Sequence, residues 1–194
     1  RMRTSRFIVL GTALLLVGGA FAVATTTRND GADARRDAVL VSAKSENARK
    51  YCKGHSARRA AIVSHGAIAP VALVDNGTPG DSAGDERIFA FNGTDDRGRT
   101  VHIDWTMTTT GINVPEAGLQ TRINNGVFSW PDVNSQMTLN GIGVYPNSGS
   151  VLAPSAQLDR PLVGGSGQFA DANGWVHSDH LPSGDWTHTF YMCR

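Results

Sequence analysis

An excess of charge of either sign is what this sequence most plainly lacks. Lys and Arg number 18 against 17 Asp and Glu, a formal net charge of +1. A nucleic-acid footprint needs a strong basic bias, so the balance argues against that partner. Cysteine is almost absent, with two in 194 residues, and neither belongs to a Cys-x-x-Cys pair. There is no Gly-x-Ser-x-Gly elbow, no P-loop and no dinucleotide fingerprint, which removes the common nucleophile and nucleotide motifs. No segment sustains a helical period, which argues against a helical bundle or an α/β sheet.

Long apolar runs are also missing, with one exception. Phe7 to Val23 is apolar, follows the basic stretch Met2-Arg3-Thr4-Ser5-Arg6, and ends at Ala22-Val23-Ala24. Basic, apolar and small-x-small segments in that order predict a signal peptide over residues 1–24, cleaved near Ala24. The expected location is then secreted or periplasmic. The alternative is a retained anchor, although about 17 apolar residues is at the short limit for a membrane span. Any membrane contact is expected only through that segment, uncleaved.

Residues 25–59 mix charges of both signs and read as a polar, partly disordered leader, with one short helix near Val39 to Lys53. Residues 60–194 form the expected folded domain. Export makes a bridge between Cys52 and Cys193 the natural expectation. In the chain-entropy model, closing a loop of about 140 residues stabilises by about 5 kcal/mol. Two free buried thiols are the alternative.

What is present from Ala60 onward is strand after strand. Val101, Ile103, Trp105 and Met107 alternate with His102, Asp104, Thr106 and Thr108. A two-residue period of that length is a half-buried strand, and its polar row should face water. Other short β-like segments are Ala61 to Val63, Pro70 to Val74, Arg87 to Phe91, Thr121 to Ser129 and Gln136 to Val144. Ala156 to Val163, Gly174 to Asp179 and Asp185 to Cys193 complete the series. Asn92 to Gly98 reads as a turn, and so does Gly164-Gly165-Ser166-Gly167. Asn76-Gly77-Thr78 and Asn92-Gly93-Thr94 are glycosylation sequons. Glycine, 22 residues in all, is about 11% of the chain against an average near 7%. Many short strands between glycine turns make a sandwich or a barrel. The prediction is an all-β, up-and-down antiparallel barrel of about eight strands, wide enough for side chains or one small ligand.

The segment Val163-Gly164-Gly165-Ser166-Gly167-Gln168-Phe169, followed by Ala172 and Gly174, resembles the signature of the allene oxide cyclase and dirigent barrel superfamily. Ser166 stands where threonine is usual. Gly80 to Asp85, Asp96 to Val101 and Leu139 to Tyr145 are similar to that family's opening hairpin and middle strand. The resemblance implies an antiparallel barrel with an apolar cavity, assembled as a homodimer or homotrimer. It also implies a function in steering a reactive small molecule, as cyclases, isomerases and dirigent proteins do. The arginine and aspartate cavity positions of plant dirigent proteins have no residue-by-residue match, so none is carried over.

For such chemistry the candidates are large walls and a few polar tips. Trp105, Trp175, Trp186 and Phe190 are the expected cavity lining. Tyr145, His177 and His188 are the expected donors or acids. The alternative is that these aromatics are plain core and the histidines are satisfied by neighbours. His102-Ile103-Asp104 and His177-Ser178-Asp179 would hold a divalent metal only if their strands were adjacent. Neither metal nor cofactor is expected. The partner is an apolar small molecule. Three functions stay open: a cyclase-like or isomerase-like enzyme, a lipocalin-like binding module without chemistry, and a structural barrel filled by its own side chains.

Overall fold

The computed structural model describes residues 50–53, 56–147 and 152–193. Within them the alternating segments become β1 (Ala57–His65), β2 (Ala72–Val74), β3 (Glu86–Asp95), β4 (Thr100–Ile112) and β5 (Leu119–Trp130). They continue as β6 (Ser135–Pro146), β7 (Gln157–Ser166), β8 (Gly174–His180) and β9 (Trp186–Cys193). Two 3₁₀ turns, η1 (Pro131–Val133) and η2 (Gly167–Phe169), interrupt the series. The signal segment and most of the leader lie outside the described residues. Of the helix expected over 39–53, only the end is described, and Lys50 and Tyr51 are helical there.

Strands β3 to β9 form an antiparallel meander, each beside the next. β1 closes the ring by pairing with β9 on one edge and β3 on the other. The result is the expected closed barrel of eight strands, with β2 added against the outer half of the same β3 edge. Closure removes most of the free edges that would otherwise template association, leaving β2 and a short stretch of β3.

Two turn assignments shift. The stretch Asn92–Thr94 is strand, because β3 runs on to Asp95 and pairs Gly93 with Val101 and Thr94 with Thr100. The buried Asp95 carboxylate organises this hairpin. It accepts from the backbone N–H groups of Arg97 and Arg99 at 2.9 Å, from Arg99 Nε at 2.8 Å and from Trp130 Nε1 at 3.0 Å. Likewise Gly164, Gly165 and Ser166 belong to β7, where Gly165 sits opposite Met137 of β6. The chain turns only at Gly167, whose φ of +59° suits glycine. The short turn plugs one end of the cylinder, with Phe169 centred 5.0 Å from Trp130.

That end is sealed by apolar burial. Phe128, Trp130, Met137 and Phe190 are fully buried, and Phe128 meets Phe190 edge-on at 4.8 Å. Burial of each such side chain contributes about 1.5–3 kcal/mol. Cys52 and Cys193 form the expected disulfide, 141 residues apart in sequence. A structural bridge of this kind fits an oxidising compartment.

The other end is less tightly closed. β1 follows β3 only at Val63 and Ser64, and the chain rejoins β3 at Ala72. Between these contacts, Phe89 to Gly93 have no strand partner on that edge among the described residues. The barrel therefore has a lateral gap beside its open end.

Candidate functional site: the pocket at the barrel mouth

A pocket fills this gap. Its rim carries the half-buried His65, Ile68, Phe91 and Trp186, and its floor the buried Phe89, Trp105, Met107, Tyr145, Arg160 and His188. The free space is about 40 Å³, and about 450 Å³ when all gaps and the solvent-open mouth are included. The smaller space holds on the order of three waters. A larger occupant extends into the open mouth or displaces rim side chains.

Strand parity places each group. On β4, Trp105 and Met107 share the inward row with Val101 and Ile103, and His102 and Asp104 face out as expected. Two inward glycines give the floor its shape. A Cβ on Gly126 would lie 2.7 Å from the Trp105 ring, and one on Gly143 would lie 2.6 Å from Tyr145. Each aromatic ring thus lies flat across a wall position that no other residue leaves free.

Tyr145 is held from three sides. Its hydroxyl donates to Asn124 Oδ1 at 2.6 Å and accepts from Arg160 Nη2 at 2.9 Å. The guanidinium of Arg122 lies over the phenol ring, 4.6 Å from its centre. Burial, then the nearby Arg87, lowers the Arg122 pKa to about 10.

A directed hydrogen-bond chain runs from this group to the rim. Arg160 Nη1 is 3.4 Å from Ser178 Oγ, Ser178 Oγ is 2.9 Å from His188 Nδ1, and His188 Nε2 is 3.1 Å from His65 Nε2. His65 Nδ1 lies 2.7 Å from the Gly66 carbonyl. A guanidinium only donates and a carbonyl only accepts. With both imidazoles neutral, the two ends orient every proton between them. His65 carries its hydrogen on Nδ1, His188 carries its on Nε2, and Ser178 donates to His188. Burial lowers the pKa of both histidines, most strongly at His188, where His65 and Arg160 add repulsion.

The structure brings Tyr145, His188, Trp105 and Trp186 to one pocket. It does not bring the other named residues there. Phe190 lies deeper, among Phe128 and Trp130. Trp175 and His177 sit on the outer face of β8, because their neighbour Val176 takes the inward position. Trp175 is still fully buried, stacked between Tyr51 and Tyr191 at 5.5 and 4.6 Å. Its burial comes from the segment joined to Cys52, not from the lumen. His177 pairs with Asp159 at 2.6 Å and Asp179 at 3.2 Å. The Asp159 hydrogen bond, followed by that of Asp179, raises its pKa to about 10. The two His-x-Asp triplets share no site, since β4 and β8 are not neighbours. No group of metal-holding side chains occurs among the described residues.

Arg160, Asn124, Ser178 and His65 escaped the sequence reading, yet parity marks them. Arg160 shares its row with Leu158 and Leu162, and His65 shares its row with Ala61 and Val63. Asn124 and Arg122 share theirs with Phe128 and Trp130. A polar residue in an apolar row is a luminal polar residue.

Fold and pocket together define a small antiparallel β-barrel with an aromatic-rimmed pocket at one end. No family model and no curated protein matches the chain. Among solved structures it is similar to pyocyanin demethylase, with a TM-score of 0.51 and 16% identity. The match covers 70% of this chain and 100% of that one. At this identity the likeness establishes the barrel fold alone.

Proposed function

We propose that this protein is an exported small-molecule-handling barrel that steers a reactive ligand in the mouth pocket, as a cyclase-like or isomerase-like enzyme. The observation that carries the reading is the floor, where Tyr145, Arg160 and His188 converge beneath an aromatic rim. A carrier pocket needs only walls, whereas hydrogen-bonded polar groups aimed at one buried spot suit charge development during reaction. The resemblance of the Val163–Phe169 segment to the allene oxide cyclase and dirigent superfamily supports the same class. The barrel likeness to an enzyme whose name describes a reaction on a small molecule is compatible with small-molecule handling and does not bear on the reaction class. In this reading Tyr145 and His188 face the ligand, and Trp105 and Trp186 hold it.

Native mass spectrometry of the protein from its own host tests the premise, because a bound small molecule identifies the ligand class and the subunit count. With a substrate in hand, Tyr145→Phe and His188→Ala should each slow turnover by about 10²-fold, with the fold retained by circular dichroism. His177→Ala should leave turnover unchanged, since that side chain faces outward. Unchanged turnover in both pocket variants favours the lipocalin-like carrier instead.

A further inference from the structure

Arg160 is a buried cation with no anion. It is 2% exposed, and no carboxylate lies within ion-pairing distance of it among the described residues. Its partners are the neutral hydroxyls of Tyr145 and Ser178 and the face of Trp105, whose ring centre is 5.0 Å from the guanidinium carbon. Its Nε–H is buried and has no acceptor. Of five N–H donors on a guanidinium, only two are engaged.

This arrangement is costly on its own terms. An unpaired charge removed from water is unfavourable by several kcal/mol, and the face of one tryptophan offsets only part of that. Arg87, another buried arginine of this end, meets Asp81. Arg160 alone of the pocket residues presents an unmatched positive charge to the free space. No second positive charge of the pocket competes for an anion, since His65 and His188 are neutral in the hydrogen-bond chain described above. The adjacent walls, Trp105 and Phe89, are flat and apolar.

We propose that the pocket selects a planar, conjugated small molecule carrying one anionic oxygen group, a carboxylate or an ionised phenol, which accepts hydrogen bonds from Arg160. The inference rests on the pocket reading above and adds the charge and shape of the ligand. The anionic group takes the open N–H positions of the guanidinium, and the conjugated body lies along Trp105 toward the rim at Phe91 and Trp186. The same contact holds a developing oxyanion if the ligand's charge grows during reaction.

The test uses the full chain and a matched pair of probes, 2-naphthoate and its neutral amide, 2-naphthamide, titrated by calorimetry. The expected result is that the carboxylate binds about tenfold or more tightly than the amide. That preference should collapse in Arg160→Gln. Equal binding of both probes overturns the anion assignment and leaves the pocket reading standing. Binding of neither probe overturns both. A preference that survives in Arg160→Gln places the anion elsewhere and overturns the assignment to this residue. If Arg160→Gln fails to fold, the wild-type chain decides. The arginine Nε–H resonance that shows a cross-peak to the Trp105 ring should shift with the carboxylate and not with the amide. No shift overturns the proposal.

Discussion

Tyr145 owes its position to a side chain that is missing. A methyl group on Gly143 would meet the phenol at 2.6 Å, and rings do not yield in place. Gly143→Ala should therefore swing Tyr145 off Asn124 and Arg160 and destabilise the fold by about 1–3 kcal/mol. Urea unfolding measures the loss. His177 provides the second residue-level case, on the outside of the wall. Below pH 6.5, its ordinary pKa, the imidazole is charged whether folded or unfolded, and the pairing with Asp159 and Asp179 contributes in full. Above 6.5 the unfolded chain loses its proton first, so this stabilisation declines with rising pH and is gone beyond about 10. Urea midpoints should fall between pH 7 and 10 more steeply in the wild type than in His177→Gln. Equal slopes would remove the pair from the stability account.

Elements here are written largely by parity. The β4 row was legible because ten residues alternate without a break, and the barrel followed from the number of such rows. The ends of β3 and β7 were not legible, because Asn-Gly-Thr and Gly-Gly-Ser have turn composition, while ladder pairing to β4 and β6 holds them extended. Half of the candidate site was readable. Tyr145, His188, Trp105 and Trp186 are polar tips and large walls on recognisable strands. Trp175 was misplaced because an outward row can also be buried, here beneath Tyr51 and beside Tyr191. Arg160 was missed because charge suggests exposure, although its row is apolar. The β3–β4 hairpin makes its own prediction. Asp95→Ala strands the buried Trp130 Nε1–H and releases Arg99, so it should cost about 3 kcal/mol in chemical denaturation. A loss below about 0.5 kcal/mol would mean that the ladder alone holds the hairpin.

For the whole molecule, ring closure depends on β1, and β1 is secured at its start by the Cys52–Cys193 bridge. A loop of 141 residues makes this the longest-range covalent constraint the fold can draw on. Cys52→Ser with Cys193→Ser should lower stability by about 5 kcal/mol in the chain-entropy model, read from the urea midpoint. A shift of less than 1 kcal/mol would mean that strand pairing alone is enough.

The same bridge fixes where the chain ahead of β1 meets the barrel. β9 runs from Trp186 at the pocket rim to Cys193 at the plugged base, so the residues before Cys52 join the barrel at its base. A support attached ahead of Cys52 would therefore meet the plugged base, with the pocket mouth on the far side of the barrel from it.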